Sequence, residues 1–162
     1  MTSRILVAVR VPGSPGRAFD VFTKNVASWW RDDPLFRLTP RSPGAMAFEP
    51  PADGRPGRFV ERLPNGKIFI VGAISVWEPG VRLAFGWRQA TFAAGQDTNV
   101  EIIFEAIGDE TRVTVQHFGW DSVPRSHVAR HGMPVSLFGR RHGEWWQRSL
   151  VAMGAAASSG AG

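Results

Sequence analysis

Three turn signals in the middle of the chain, each with its own backbone chemistry, constrain what this sequence can fold into. Asn65-Gly66 separates Phe59–Leu63 from Ile68–Trp77, and Asn-Gly is the strongest two-residue hairpin signal. It predicts Leu63 opposite Ile68, Glu61 opposite Ile70 and Phe59 opposite Gly72. Pro79-Gly80 has the residues of a type II turn. It pairs Val76 with Leu83, Ile74 with Phe85 and Gly72 with Trp87. A third turn around Asp109-Glu110 pairs Ala106 with Val113, Phe104 with Val115 and Ile102 with His117. Strand side chains alternate between faces. The three registers, each set by its own turn, therefore put one apolar set on one face: Phe59, Leu63, Ile68, Ile70, Ile74, Val76, Leu83, Phe85, Trp87, Val100, Ile102, Phe104, Val113 and Val115. Glu61 and His117 are the ionisable groups on that face. The other face carries Arg62, Arg82, Arg88, Glu101, Glu105, Arg112 and Gln116, interrupted by Phe69, Val71 and Trp77.

A sheet with one apolar face needs a cover. The segment from Gly139 to Met153 supplies one: His142, Trp146, Leu150 and Met153 recur at helical spacing. Upstream, Arg4–Val11 alternates as a strand. Ser14 is placed as a helix N-cap with Pro15 at the first helical position. Ala18, Val21, Phe22, Val26, Trp29 and Trp30 then follow a helical stripe, as one bent helix or two short ones ending before Pro34. Residues 31–56 are rich in Pro, Gly and Arg and read as loop, with a short strand at Ala45–Glu49. The order is strand, helices, a meander of about six strands and a long last helix: an α+β fold in which a curved sheet grips the helix. One domain spans 1–153, and the Gly, Ala and Ser of 154–162 read as a flexible tail.

Composition narrows the chemistry. The 162 residues contain no Cys and no Tyr but seven Trp and eleven Phe. Without cysteine there is no disulfide, thiolate nucleophile or Cys-based metal site. The net charge of +5 accompanies a pI near 11.2. That pI reflects arginine, since Lys24 and Lys67 are the only lysines and few groups titrate above neutrality. The basic residues are scattered and no nucleic-acid motif accompanies them, so no nucleic-acid partner is expected. The apolar stretch Ile5–Val11, broken by Arg10, lacks the features of a secretory signal. Ile68–Trp77 is about half the ~20 residues of a membrane helix. The expected setting is cytoplasmic, without membrane insertion.

In that order, Ala18-Phe19-Asp20-Val21-Phe22-Thr23 with Trp29-Trp30, Gly57-Arg58-Phe59-Val60-Glu61-Arg62, Gly72 to Pro79 with Arg82-Leu83, Gly108 to Val113, His117-Phe118-Gly119-Trp120 and Trp146 with Leu150 resemble the START-like (SRPBCC) superfamily. Within it, they resemble the activator of Hsp90 ATPase homologue-like branch, over roughly residues 4–153. The resemblance implies a helix-grip fold: seven antiparallel strands around a long C-terminal helix, two short helices after the first strand, and a cavity between sheet and helix. It implies an apolar or aromatic small ligand there, lined by Phe59, Glu61, Ile70, Ile74, Phe85, Trp87, Ile102, Phe104, Val115, His117, Trp146 and Leu150. Two departures stand out. A glycine of the family is Trp145 here, which narrows the cavity, and residues 121–138 form a long variable cover.

Binding without catalysis is the leading expectation. A cyclase- or hydrolase-type enzyme would use His117 and Glu61 as acid–base partners. The bland alternative is that both are internally satisfied buried groups. A chaperone ATPase cofactor follows from the family name, but the separate chaperone-binding N-terminal domain of its eukaryotic namesake has no room in this chain, so a chaperone partner is not expected. A homodimer stays open. No cofactor is expected. No metal site is expected either: His127 and His131 are four apart, but Pro124, Gly132 and Pro134 disfavour a helix there, and His142 lies on the helical stripe.

Overall fold

The computed structural model describes residues 4–40 and 44–159. β1 (Arg4–Pro12) is followed by α1 (Pro15–Lys24) and α2 (Val26–Trp29). Strands β2 (Ala45–Glu49), β3 (Arg58–Arg62), β4 (Ile68–Glu78), β5 (Arg82–Trp87), β6 (Thr98–Ile107) and β7 (Glu110–Phe118) come next. Helix α3 (Val135–Ser159) closes the chain. The seven strands form one antiparallel sheet ordered β1-β7-β6-β5-β4-β3-β2. Its inner face packs on α3 through Val113, Val115, Leu150 and Met153, all fully buried. The expected α+β helix-grip architecture is the one observed. Ser14 caps α1, its hydroxyl accepting from the Arg17 amide at 3.2 Å.

The turns form hairpins, each with a loop different from the one expected. Leu63 and Lys67 close the first: the Leu63 amide donates to the Lys67 carbonyl, and the Gly66 amide to the Leu63 carbonyl. Pro64-Asn65-Gly66 is thus a three-residue loop with Gly66 at φ +84, in the αL position such loops require. The pairing is slipped by one residue, Glu61 opposite Phe69 and Arg62 opposite Ile68. A bulge between Phe59 and Val60 absorbs the slip and restores Phe59 opposite Gly72. A one-residue slip reverses faces, so Ile68 and Ile70 are 48% and 43% exposed, while Val71 is buried. The expected inward placement of Ile70 is thereby corrected. A second irregularity, between Ile74 and Val76, puts Trp77 rather than Val76 opposite Leu83. The last hairpin turns at Gly108-Asp109, with Ala106 opposite Thr111 and Ile102 opposite Val115. That is a two-residue slip from the expected pairing. Because the side-chain period is two, it leaves Phe104, Val113 and His117 facing inward.

Helix α3 starts four residues before the expected Gly139 and continues through Ser159. The flexible tail expected from residue 154 is helical over 154–159, and Ala157 is buried. Residues 160–162 lie outside the described residues. Trp77 also turns inward, against expectation, and Trp120 joins it in the core. Trp77 meets Phe19 edge-on at 5.1 Å, and Trp120 is 1% exposed. Gly119, at φ +98, turns the chain so that the indole enters the core.

At Gly72 an added Cβ would stand 2.0 Å from the Gly86 carbonyl oxygen, which is backbone and cannot swing away. Gly72→Ala is expected to cost at least ~2 kcal/mol, the range of overpacked cores. Gly16→Ala, whose Cβ would meet nothing nearer than 4.0 Å, should change stability by no more than about 1 kcal/mol. Urea unfolding of both variants checks this.

Candidate functional site

His117 sits on β7, opposite Val100 on β6 and Ile5 on β1. The Trp146 indole N–H on α3 donates to its Nδ1 at 3.2 Å. An acceptor Nδ1 places the proton of the neutral ring on Nε2, which donates to Thr98 Oγ1 at 2.9 Å. The Thr98 hydroxyl passes its own proton to the Trp87 carbonyl at 2.8 Å. Both nitrogens are therefore committed. Burial, and next the neighbouring His142, hold the imidazole well below its usual pKa. Glu61 belongs to another network: its carboxylate accepts from Thr39 Oγ1 at 3.1 Å and from the Gly44 amide at 2.9 Å. It ties Thr39 and Gly44 to β3. The structure places His117 and Glu61 in separate networks, so it does not bring them together as an acid–base pair.

His142 is the group the sequence placed on the core stripe without a role. It is fully buried, and neither Nδ1 nor Nε2 has a partner. Its ring lies 4.4 Å from Phe36, 5.0 Å from His117, 5.5 Å from Trp120 and 5.8 Å from Trp87 (centroid distances). The indole N–H groups of Trp87 and Trp120 are likewise buried without acceptors, as is Ser149 Oγ on α3. Buried polar atoms are normally paired, and here several unpaired ones gather around one aromatic chamber: both ring nitrogens of His142 and two indole N–H groups. Desolvation depresses the His142 pKa to about 3, which keeps the ring neutral. The signal was legible in outline: His142, Trp146 and Ser149 put polar groups at i, i+4 and i+7 on a helix face that is otherwise apolar.

The other histidines hold loops together. His127 accepts from the Ala129 amide and donates to the Thr91 carbonyl at 2.9 Å. His131 donates to the Leu35 carbonyl at 2.6 Å. Among the described residues no group of three or more His, Cys, Asp or Glu is placed to hold a metal, and no helix is long and apolar enough to cross a membrane.

Of the expected lining, Phe59, Ile74, Phe85, Trp87, Ile102, Phe104, Val115, Trp146 and Leu150 are at most 4% exposed. They fill the grip by packing on one another, as in the 5.0 Å Phe59–Phe85 and 5.7 Å Trp87–Trp146 contacts. Ile70 points away from this set. Open space lies at the edges of the packed core. A pocket of about 730 Å³ sits between the β1/β7 edge and the start of α3, lined by Ile5, Phe118, Trp120, Phe138, Arg4 and Arg140 among others. Trp120 and Phe138 form its inner wall and also touch His142. A groove of about 810 Å³ runs between α1, α2 and the second half of α3 past Trp29 and Trp30. The first pocket is not legible in the sequence pattern because Trp120 lies beyond β7, where strand alternation no longer sets its direction.

Comparison with known proteins bears on this geometry. Residues 12–156 match the family described as Activator of Hsp90 ATPase homolog 1-like protein. No match was found among curated proteins. Among solved structures, protein MLL2253 from Mesorhizobium loti is similar at TM-score 0.65 and 12% identity, covering 97% of this chain and 98% of that one. The anthrahydroquino-γ-pyrone synthase Txn09 is similar at TM-score 0.52 and 26% identity, covering 95% and 96%. The di-domain ARO/CYC StfQ of the steffimycin biosynthetic pathway is similar at TM-score 0.59 and 11% identity, covering 98% of this chain and 51% of StfQ.

Two buried neutral imidazoles make stability depend on pH. Their folded pKa values lie below the unfolded value near 6.5, so the unfolded chain binds more protons in acid. Their contribution is complete above about pH 6.5 and is lost as pH falls below it, for His142 down to about pH 3, at up to about 1.4 kcal/mol per pH unit for each ring. His142→Leu should reduce that slope. It should also raise stability at pH 7.5 by about 1–3 kcal/mol by removing an unpaired buried group. Urea unfolding between pH 7.5 and pH 5 reads both effects.

Proposed function

We propose, from the premise that the chain belongs to the Activator of Hsp90 ATPase homolog 1-like family, that it binds a small aromatic molecule between the sheet and α3. The site is reached through the pocket at the start of α3, without assigned catalysis. The observation that carries this reading is the set of orphaned polar atoms behind that pocket. His142 Nδ1 and Nε2 and the indole N–H groups of Trp87 and Trp120 are buried in aromatic walls with no protein partner. Indole N–H groups only donate. A ligand that satisfies them carries oxygen acceptors on a flat aromatic body, and His142 is free to donate or accept at its edge.

The route is physical. Trp120 and Phe138 separate the pocket from His142, and Trp120 lies on a single 3-10 turn (Trp120–Ser122), outside any strand. A ligand passes beside the Trp120 indole, packs against Phe138 and reaches the imidazole. The likeness to Txn09, a protein named for an anthrahydroquino-γ-pyrone product, supports a polycyclic aromatic class. Binding such a body in an apolar pocket uses a few convergent polar groups for orientation.

Titration of tryptophan fluorescence with 2-methylanthraquinone tests the reading. Saturable one-to-one quenching is expected in wild type. In His142→Leu, with an unchanged circular dichroism spectrum, affinity should weaken about tenfold, near 1.4 kcal/mol. Absence of saturable quenching by this and other planar aromatics would overturn the proposal.

A further inference from the structure

The same pocket has an electrostatic character that the aromatic walls do not explain. Its lining includes Arg4 and Arg140 and contains no Asp or Glu. Arg4 is held by Gln116, its Nη1 donating to Oε1 at 3.2 Å, and among the described residues neither arginine has a carboxylate partner. Elsewhere among the described residues eight arginines reach a carboxylate, among them Arg37 with Asp32, Arg58 with Glu49, Arg82 with Glu101 and Arg148 with Asp33. The acid nearest in sequence on α3, Glu144, is taken by Arg141 at 3.3 Å. Two cations are thus left unmatched at one pocket.

The pocket also holds the N-terminus of the 25-residue helix α3, with Val135 and Ser136 in its lining. Phe138 makes the first intrahelical bond, to the Pro134 carbonyl. Proline has no side chain able to cap, and no acidic residue lies in the first turn. Among the described residues the amides of Val135, Ser136 and Leu137 find no acceptor, and they carry the positive end of the helix dipole. Free amides at a helix start favour anions. A second, independent feature points to a ligand at this spot: the Trp120 indole N–H, buried and unpartnered in the pocket's inner wall.

We infer that this pocket recognises an anionic oxygen group, a carboxylate or phosphate, on the aromatic ligand, using Arg4, Arg140 and the first amides of α3. The inference rests on the aromatic-ligand reading above and adds to it the charge of the ligand and the direction in which it lies. The anionic end stays at the mouth, among guanidinium groups and amides. The aromatic body runs inward past Trp120 toward His142. Arginine suits the outer position, because its planar fork matches carboxylate and phosphate oxygens in pairs.

Paired probes test it: anthraquinone-2-carboxylate against 2-methylanthraquinone, titrated by tryptophan fluorescence, with inorganic phosphate and acetate as competitors. The carboxylate is expected to bind at least tenfold more tightly than the methyl compound at low salt, with the preference shrinking at high salt. The double variant Arg4→Gln/Arg140→Gln should bring the ratio close to one. Competition by phosphate beyond that by acetate assigns the group as a phosphate; the reverse assigns a carboxylate. A wild-type ratio near one, or a ratio unchanged in the double variant, overturns the inference and leaves the aromatic reading standing. Failure of both probes to bind overturns the aromatic reading as well. Arginine-dependent binding that is indifferent to His142→Leu upholds the anion site and removes His142 as the inner anchor.

Discussion

The contact on which the architecture turns is the hydrogen-bond chain from helix to sheet: Trp146 to His117, His117 to Thr98, Thr98 to the Trp87 backbone. It joins α3 to three adjacent strands, β7, β6 and β5, through groups that are all buried. An apolar helix stripe on an apolar sheet can slide, because hydrophobic contact has no direction. A relay of donors and acceptors cannot, because a shift of one helix residue would strand an indole N–H and an imidazole nitrogen out of water. The chain also fixes the His117 tautomer, and with it the ring orientation from which the His142 environment follows.

Much of this was legible in sequence, and the parts that were not have specific causes. The sheet, its inner face from β5 to β7 and the α3 stripe follow from period and turn chemistry. The first hairpin failed by one residue because Asn65-Gly66 is preceded by Pro64. The chain adopts a three-residue loop with a single left-handed glycine instead of a two-residue turn. That slip exposes Ile68 and Ile70, and only the bulge at Phe59/Val60 returns Phe59 to the core. The last hairpin failed by two residues and cost nothing in face assignment, because two is the period of a strand. Helix end points were misjudged on composition: Gly154 reads as a breaker, yet an added Cβ there would meet Val11 Cγ1 at 3.3 Å, so the absence of a side chain lets α3 pass close to β1.

The candidate site was less legible because it depends on orientation rather than pattern. His117 and Glu61 were correctly placed inside, as their burial shows. Whether two inward groups meet depends on where each side chain finds its partner. Glu61 finds Thr39 and the Gly44 amide on the β2 side, whereas His117 finds α3. His142 was visible as a stripe position, but the lack of a partner for its two ring nitrogens is a property of the surrounding rings. Trp120 enters the core only because Gly119 takes a left-handed conformation that alternation along β7 does not encode.

Trp145 decides where a ligand can go. The indole is 1% exposed and donates to the Arg31 carbonyl at 2.8 Å. Its ring packs on Trp30 at 4.8 Å, on His142 at 5.5 Å and on Trp87 at 5.9 Å. A glycine at this position, as the resemblance implies for relatives, would leave the middle of the grip open. Filling it with an indole transfers the available volume outward, to the pocket at the start of α3 and the groove beside Trp30. Both are lined by arginines without a carboxylate partner among the described residues, but only the first has a buried unpaired donor, the Trp120 indole N–H, in its wall. The aromatic richness of the chain therefore has two opposed effects. It closes the interior of the fold, and at one end of the last helix it leaves polar atoms without partners.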